Sequence, residues 1–427
     1  MNPKNKINLN DKQMEAVNAT EDKVLIIAPA GSGKTSTLIA AIQKYKEDNP
    51  DHVVVAITFT NKATDELVSR LGPLKSVYAS TIHSWAYQEL NRLSQAIQLE
   101  DPNNSFKIKL LQDDRIKEIL DEMLKKKKYF YVKVDILFSY IMGNYNMDIS
   151  DSLRQIFQII KAEYIAYKEK YGLYDFTDLP KYLLDKLNDY DRDINGIDAL
   201  FVDEFQDVDD VQLELFERTT AVKKFFIGDP QQSIYIFRGA TEDVMKKLRG
   251  FKMYNLDINY RSNQEIIDFA SSYQQTALID PITFSGQLES FQSSILCDKG
   301  RGGNVYILAR TGSAYKVNEF IKYRGEKVVE DFLKLEPMIL CRKNKEVKAI
   351  KELGWEKVQT IHQAKGLEYP AVIVTDFEIR DVEDINISYV AMTRAESNLL
   401  AANYTAFVKI MEKLRPQIKT QSQNSLF

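Results

Sequence analysis

A glycine-rich segment at residues 28–35, APAGSGKT, restricts this chain to few folds because of the sequence on either side of it. The apolar run VLIIA precedes it, and the helical pattern TLIAAIQKY follows it. Glycines let backbone N–H groups curl around phosphate oxygens, and the N-terminus of the next helix adds a favourable dipole. A lysine then reaches the β- and γ-phosphates, and a threonine hydroxyl holds Mg²⁺. The segment therefore predicts an α/β fold with a nucleoside triphosphate site, formed by Ala30, Gly31, Ser32, Gly33, Lys34, Thr35 and Ser36.

The pattern departs from the usual phosphate loop at one position, because Ala28 stands where the first glycine is expected. The other half of the expected site is acidic and lies in ALFVDEFQD at residues 199–207. Its apolar strand ends in Asp203, which suits the coordination sphere of Mg²⁺, and Glu204, which suits a base that polarises water. An acidic pair after a strand is common, but after a phosphate loop it indicates hydrolysis of a nucleoside triphosphate. ATP and Mg²⁺ are the expected cofactors.

Charge and cysteine content limit the other function classes. Lys and Arg total 57 against 61 Asp and Glu, a net charge of −4, so no overall basic field is available to hold nucleic acid. Any nucleic acid must bind in a local groove that offers aromatic stacking. The two cysteines, Cys297 and Cys341, lie far apart and show no metal-ligand spacing, and only three histidines are present. The polar N-terminus and the lack of a long apolar run predict a cytoplasmic protein with no membrane association.

The pattern of apolar runs indicates two sheets in tandem. Strands are predicted at 24–28, 53–59, 199–203 and 225–227, and a second series at 305–308, 338–340 and 371–375. Residues 91–171 are mostly helical in pattern, which indicates a helical insertion into the first α/β unit. The expected domains are 1–90 with 172–248, then 91–171, then 249–415, followed by a polar, poorly ordered tail from Pro416 to residue 427.

Seven further sequence blocks resemble the motifs of superfamily-one helicases of the UvrD, PcrA and Rep kind. They occur in the family's order, from residue 9 to residue 400. The resemblance implies two tandem RecA-like P-loop domains with parallel sheets, plus a helical insertion domain in the first. Only 96 residues (262–357) lie between Arg261 of the block LDINYRSNQEII and the start of the block VQTIHQAKGLEYPAVIV, so the extra 2B domain of larger relatives is expected to be absent or vestigial. The blocks are LNDKQMEAV (9–17), AITFTNKATDELVSRL (56–71), STIHSWA (80–86), IGDPQQSIYIFRGA (227–240), LDINYRSNQEII (256–267), VQTIHQAKGLEYPAVIV (358–374) and SYVAMTRAESNLL (388–400).

The resemblance also implies roles around ATP, in a cleft between the two sheets. Gln13 would contact the adenine edge, Tyr260 would stack on the base, and Glu368 would contact the ribose. Around the γ-phosphate, Gln232 would contact the attacking water, while Arg261 and Arg394 would act as arginine fingers that neutralise transition-state charge.

A nucleic-acid track is expected from four of these motifs. Bases stacked on aromatic side chains contribute about 1–3 kcal/mol each without regard to sequence, which suits a motor that repeatedly releases and grips. Phe237 stands where the family usually has Trp, so stacking is weaker there. The segment LKKKKYFYVKV (124–134) is either a solvated helix end or another DNA contact. The expected track residues are Phe59, Thr60, Asn61, His83, Tyr235, Phe237, Arg238 and His362.

The function implied is a DNA-stimulated ATP hydrolase that translocates 3′→5′ on single-stranded DNA and unwinds duplexes at single-strand/duplex junctions. Two alternatives stay open. One is a nucleotide-dependent regulatory or sensor subunit that acts with a nuclease or with a replication or repair partner. The other is an RNA motor. Single-stranded DNA that failed to stimulate ATP hydrolysis would argue against the leading interpretation.

Overall fold

A computed structural model describes residues 8–104, 106–143, 149–234, 244–276, 295–317, 319, 321–375 and 382–424. The chain forms two compact units. The first comprises residues 1–26, 35–228 and 235–254, and the second comprises residues 27–34, 229–234 and 255–427. Within the described ranges, no helix is long and apolar enough to cross a lipid bilayer.

The first sheet has six strands in the order β3-β2-β4-β5-β1-β6. Parallel pairing joins β2 to β3, β2 to β4 and β4 to β5. All residues of β2 and β4 are buried, as expected for parallel strands covered by helices on both faces. The predicted strands of this unit are confirmed, with ends shifted by one or two residues. The strands are β1 (Lys23–Ile27), β2 (Val54–Thr58), β3 (Val77–Thr81), β4 (Ala199–Val202), β5 (Lys223–Gly228) and β6 (Lys252–Asn255).

Helices follow most of these strands, and side-chain caps mark where several of them begin. Thr60 caps one helix through the Ala63 amide, and Thr81 caps another through the Ser84 amide. These caps place the ends of β2 and β3 directly at helix N-termini. The helices are α1 (Asp11–Val17), α2 (Lys34–Asp48), α3 (Asn61–Leu71), α4 (Ile82–Glu100), α5 (Asp113–Lys126), α6 (Val134–Ile141), α7 (Asp151–Tyr171), α8 (Leu179–Asp189), α9 (Asp210–Glu217) and α10 (Val244–Lys247).

Between β3 and β4 the chain is helical, which confirms the prediction for residues 91–171 as far as they are described. Helices α5, α6 and α7 enclose a hydrophobic core of their own, with Leu120, Leu137 and Ile160 inaccessible to solvent. Helix α7 ends at Gly172, which adopts the left-handed conformation typical of a helix C-terminus. A separate core is what an inserted domain requires, but the predicted domain boundaries remain a prediction.

The second unit contains a seven-stranded sheet in the order β11-β10-β9-β15-β14-β12-β13. Strands β9, β15, β14, β12 and β13 are parallel. The edge strands β10 and β11 run antiparallel, so the sheet is mixed where the sequence predicts a parallel one. A short parallel pair, β7 and β8, lies outside it. The strands are β7 (Ile258–Asn259), β8 (Leu296–Cys297), β9 (Asn304–Leu308), β10 (Ser313–Lys316), β11 (Ile321–Arg324), β12 (Met338–Cys341), β13 (Val358–Thr360), β14 (Tyr369–Thr375) and β15 (Ala395–Ala402).

Six helices are found among the described residues of this unit. The described residues of the span 262–357 form strands and helices of the second α/β unit. The last helix extends to Asn424 and so includes part of the predicted tail from Pro416. The poor order expected of that tail remains a prediction. The helices are α11 (Gln264–Thr276), α12 (Gly325–Leu333), α13 (Asn344–Glu352), α14 (Ile361–Ala364), α15 (Val382–Met392) and α16 (Tyr404–Asn424).

Candidate nucleotide site and nucleic-acid track

The phosphate loop occupies the connection between β1 and α2. Gly31 and Gly33 have φ of 71° and 80°, a region that side-chain-bearing residues rarely adopt. Helix α2 begins at Lys34, so the loop leads directly into a helix N-terminus. The Lys34 ammonium donates to the Ala28 carbonyl at 3.4 Å. Ala28 is buried and does not need a positive φ, so alanine fits where the family pattern has glycine.

Asn259 fastens the segment after β7 to this loop, and the sequence interpretation missed it. Its Nδ2 donates to the Ala30 carbonyl at 2.6 Å, and its Oδ1 accepts from the amide of Arg261 at 2.8 Å. The Tyr260 amide donates to the Gly31 carbonyl at 2.9 Å. A Cβ on Gly31 would lie 2.7 Å from the Asn259 Nδ2. Gly31 is therefore required both for its backbone conformation and for this close approach.

Arg394 is fully buried at the end of α15, although arginine is seldom buried without partners. Its Nη2 donates to the Gln232 Oε1 at 3.4 Å, and its Nε donates to the Val390 carbonyl at 2.8 Å. Gln232, also buried, donates from Nε2 to the Asp229 Oδ2 at 2.7 Å. Two predicted site residues thus contact each other directly, and Asp229, which was not predicted, orients Gln232.

Arg261 lies half-buried beside the same helix end. Its Nε donates to the Glu368 Oε2 at 2.8 Å, and its Nη1 donates to the Thr393 carbonyl at 3.3 Å. The Glu368 side chain is 58% exposed, so this ion pair is accessible to solvent. The family resemblance assigns these two side chains to the γ-phosphate and the ribose; here they contact each other, and their assigned roles remain predictions.

Two more residues surround Gln232 and were missed from the sequence. The Lys365 ammonium donates to the Gln232 carbonyl at 3.2 Å, which adds a cation beside it. Tyr389 is completely buried, and burial, reinforced by Asp229, raises its pKa well above the usual value. Its phenol therefore stays neutral. Lys365 lies in the block VQTIHQAKGLEYPAVIV (358–374), so its place in that family motif could have identified it from the sequence.

The acidic pair lies in the first unit, where β4 ends. Asp203 is buried, and its Oδ1 accepts from the Glu204 amide at 2.9 Å. Glu204 has a φ of 47°, and strained backbone of this kind concentrates at functional sites. Its Oε2 accepts from the Gln206 Nε2 at 2.6 Å, which fixes the carboxylate. The sequence did not predict the role of Gln206.

The donor groups fit Mg²⁺ better than a metal held by protein alone. Among the residues that the structure describes, no group of three or more His, Cys, Asp or Glu could hold a metal ion. Mg²⁺ typically takes one or two carboxylates and completes its shell with waters and substrate phosphates. The Thr35 hydroxyl and the Asp203 carboxylate would supply such a small donor set, and their role in binding Mg²⁺ remains a prediction. Next to Thr35, the Ser36 hydroxyl accepts from Arg70 at 2.8 Å.

Gln13 and Tyr260, the residues predicted to recognise the base, have different surroundings. Gln13 is buried in α1, where its Oε1 accepts from the Asn10 amide at 2.9 Å in a reciprocal cap. Its carboxamide therefore also supports the start of the helix. Tyr260 is 36% exposed and offers a ring face for stacking. Adenine recognition by this pair remains a prediction.

The first unit contains a cavity of about 390 Å³ that two of the predicted track residues, Phe59 and His83, line. Tyr164 and Lys161 of the helical insertion face the same cavity. Thr60 caps α3, and Asn61 is its exposed first residue. His362 lies half-buried on α14 in the second unit. Tyr235, Phe237 and Arg238 lie outside the described residues.

The fold and this site together define a class. Two α/β units based on parallel strands, a phosphate loop, and buried arginine and glutamine side chains characterise RecA-like proteins that use nucleoside triphosphates. The family follows from comparison with known proteins. A model of the UvrD/REP helicase N-terminal domain matches residues 9–251, and a UvrD-like helicase C-terminal domain matches residues 358–401. The chain therefore belongs to the UvrD/REP helicase family.

Individual relatives differ in how much of them this chain covers. It is 32% identical over 62% of its length to a probable DNA helicase II homolog of Mycoplasma capricolum. It is 31% identical over 62% of its length to the ATP-dependent DNA helicase Rep of Buchnera aphidicola. These alignments cover 40% and 45% of the relatives, so the chain spans less than half of each. A probable DNA helicase of Mycoplasma pneumoniae is 25% identical over 97% of this chain and 90% of its own length.

Proposed function

We propose that this protein hydrolyses ATP to move 3′→5′ along single-stranded DNA and to separate duplex DNA at single-strand/duplex junctions. The observation that carries the proposal is the buried contact between Arg394 and Gln232, within the unit that also contains the phosphate loop. Burying a guanidinium costs free energy unless its N–H donors are hydrogen-bonded and its positive charge is compensated. The negative charge of a phosphoryl group during transfer would provide that compensation.

The proposed chemistry assigns one role to each of four side chains. Lys34 binds the β- and γ-phosphates at the N-terminus of α2. Glu204 accepts a proton from the attacking water as it forms a bond to the γ-phosphorus and the bond to ADP breaks. Gln232 orients that water, and Arg394 neutralises the charge that develops on the transferred group. When bound through Thr35 and Asp203, Mg²⁺ supplies charge neutralisation of the phosphates.

The cavity beside Phe59 and His83 supports a nucleic-acid track in the first unit. Its lining combines apolar and aromatic side chains with carboxylates, including Asp207 and Asp209. Carboxylates repel phosphates but can accept hydrogen bonds from base amino groups. The cavity therefore suits an unstacked base, with the phosphates directed elsewhere. Stacking on the aromatic part of the lining is the mode by which single strands are held without sequence preference.

Direction and strand separation are tested together with labelled partial duplexes that carry either a 3′ or a 5′ single-stranded tail. We expect ATP-dependent release of the short strand only from the 3′-tailed substrate. Displacement of streptavidin from biotin at the 5′ end of a single strand measures translocation without unwinding. Activity on the 5′-tailed substrate would contradict the polarity. Streptavidin displacement without duplex release would limit the proposal to translocation.

A further inference from the structure

The turn between α5 and α6 is a basic and aromatic surface that the proposed motor chemistry does not use. Residues 124–134 read LKKKKYFYVKV and contain five lysines, three aromatic rings and no carboxylate. We refer to this segment as the lysine–aromatic turn.

The turn is firmly anchored on its inner side. Tyr129 and Val132 pack against the hydrophobic core of the helical insertion. The Tyr129 amide donates to the Leu124 carbonyl at 2.9 Å, and the Val132 amide donates to the Tyr129 carbonyl at 3.0 Å. Lys128 adopts a φ of 61°, an unfavourable conformation for a lysine that the surrounding contacts impose. Its backbone is therefore organised before any partner binds.

The outer side presents two adjacent aromatic side chains to solvent. Phe130 is 74% exposed and Tyr131 is 70% exposed. An adjacent pair of large, mostly exposed aromatic rings is informative, because folding alone gains nothing from displaying them. Since Tyr129 and Val132 point into the core, the local backbone directs the intervening pair outward. Tyr131 also packs edge-to-face with Tyr129, with ring centroids 6.3 Å apart, while most of its surface and that of Phe130 stays accessible to a stacked base.

Three lysines of the turn have no carboxylate partner among the described residues. Lys125 pairs with Asp121, and Lys127 pairs with Glu163. The remaining three are Lys126, Lys128 and Lys133. Lys126 lies in the last turn of α5, where a cation interacts favourably with the helix dipole. That explanation does not extend to Lys128 and Lys133, which lie beyond the helix.

The position of Lys133 is the strongest evidence that the lysine–aromatic turn does more than stabilise the fold. It is the N-cap residue of α6 and makes no side-chain capping hydrogen bond. A cation at a helix N-terminus opposes the dipole, and Ser, Thr, Asp or Asn would stabilise the helix there. The lysine therefore weakens the local structure while adding positive charge beside the exposed rings.

We propose that the lysine–aromatic turn binds single-stranded nucleic acid, with unpaired bases stacked on Phe130 and Tyr131 and adjoining phosphates held by Lys126, Lys128 and Lys133. Charge complementarity selects this partner, because the segment offers cations and ring faces and contains no acidic side chain. The inference rests on the proposed function and extends the grip beyond the predicted track residues, to a second contact point on the helical insertion.

The stacking is tested with Phe130→Trp as an internal reporter. The chain's two tryptophans, Trp85 and Trp355, are buried, so a tryptophan at 130 dominates the solvent-exposed emission. An oligothymidylate longer than about 16 nucleotides should quench that emission on binding. Phe130→Ala combined with Tyr131→Ala should weaken binding of the same oligonucleotide about tenfold or more, since each stacked base contributes substantially. Phe130→Trp should keep full affinity.

The lysines are tested through the salt dependence of binding. Replacing Lys126, Lys128 and Lys133 by Ala should reduce the slope of log affinity against log salt by about 2, roughly 0.7 for each lost phosphate contact. Lys348→Ala on α13 is the matched control, because that side chain is 80% exposed and should leave the slope unchanged.

Three outcomes are distinguishable. If wild type binds the oligonucleotide and its ATP hydrolysis is DNA-stimulated while the aromatic and lysine variants match it, this inference is wrong and the proposed function stands. If wild type neither binds the oligonucleotide nor shows DNA-stimulated ATP hydrolysis, the proposed function is wrong, and this inference, which rests on it, is overturned as well. If the double aromatic variant keeps its DNA affinity but loses a self-association of wild type seen by light scattering, the turn is a protein interface and the inference is overturned.

Discussion

The guanidinium of Arg394 donates to the side-chain oxygen of Gln232 at 3.4 Å, and both side chains are buried. Gln232 in turn donates to Asp229. A carboxylate, a carboxamide and a guanidinium therefore form one hydrogen-bonded series. Asp229 and Gln232 are near neighbours in the chain, whereas Arg394 lies 162 positions after Gln232. Because the amide end of Gln232 is fixed by Asp229, its oxygen must face Arg394.

Arg394→Lys should abolish most hydrolysis while leaving nucleotide binding largely intact. A lysine keeps the charge but has no planar fork that can contact Gln232 and backbone carbonyls together. Arginines that stabilise phosphoryl transfer contribute on the order of 10³-fold or more to kcat. Steady-state ATP hydrolysis and binding of a fluorescent ATP analogue separate the two effects. Arg324→Lys is the control, since that side chain is 88% exposed; equal losses in both variants would contradict the role.

Gly31→Ala should weaken ATP binding and destabilise the fold more than Gly312→Ala does. Both glycines have positive φ, 71° and 80°, so both variants carry similar backbone strain. Only at Gly31 does a Cβ meet other atoms, 2.7 Å from Asn259 and 2.8 Å from Arg261, whereas nothing lies within 4 Å at Gly312. We expect an extra loss of about 1–3 kcal/mol in the free energy of unfolding. Urea denaturation of the two variants measures it, and equal losses would show that the close approach is unimportant.

Glu204→Gln should stop hydrolysis without removing ATP binding. The amide keeps the shape of the side chain but cannot accept a proton from water, and general-base contributions are typically about 10²–10⁴-fold. Binding of the fluorescent ATP analogue should change little, because Lys34 and the loop amides remain. Glu214→Gln on α9 serves as a control outside the proposed site. Retention of near-normal turnover by the Glu204 variant would remove this residue from the mechanism.

Lys168→Met should destabilise the protein by about 3–5 kcal/mol at neutral pH. The Lys168 ammonium donates to Asp175 and Asp178, each at 2.6 Å, and Asp175 is fully buried. Without the cation, two neighbouring carboxylates lose their shared counter-charge. Urea denaturation measures the loss, and Lys348→Met, at an exposed position, should change stability by less than about 0.5 kcal/mol.

The same variant should show a distinct pH dependence. Burial raises the pKa of Asp175, but Lys168 and hydrogen bonds outweigh it and hold that pKa below its usual value. In wild type, Asp175 therefore contributes stability that is present above its unfolded pKa and lost as the pH falls. Burial and the charge of Asp175 raise the pKa of Asp178. In Lys168→Met, protonation of the two carboxylates as the pH falls should reduce the penalty; a penalty independent of pH would exclude this electrostatic origin.

Most strands and the phosphate loop could be predicted because local signals agree there. Strands β2 and β4 are continuous apolar runs, and the glycines of the loop occupy positions that demand positive φ. Strand β3 was missed because it is only partly buried and reads VYAST, without a run of buried apolar residues. Strand β15 was missed because it begins with the polar stretch AESN, although its second half is buried.

Some site residues could likewise be predicted from the sequence, but their contacts could not. Motif resemblance identified Gln232 and Arg394, but no local pattern shows that they contact each other, since 161 residues separate them. Asn259 has the same difficulty: its partner, the Ala30 carbonyl, is a backbone atom 229 positions earlier in the chain. Contacts of this kind depend on tertiary packing, which a sequence pattern of period two or 3.6 does not encode.

Steady-state ATP hydrolysis by wild type and Lys34→Ala, each with and without single-stranded DNA, tests the proposed function most directly. We expect strong stimulation of the wild type by DNA and negligible hydrolysis by the variant under both conditions. Hydrolysis that requires Lys34 but does not respond to DNA would contradict a DNA-driven motor and favour a switch controlled by a protein partner. Equal hydrolysis by the two proteins would contradict the assigned phosphate site itself.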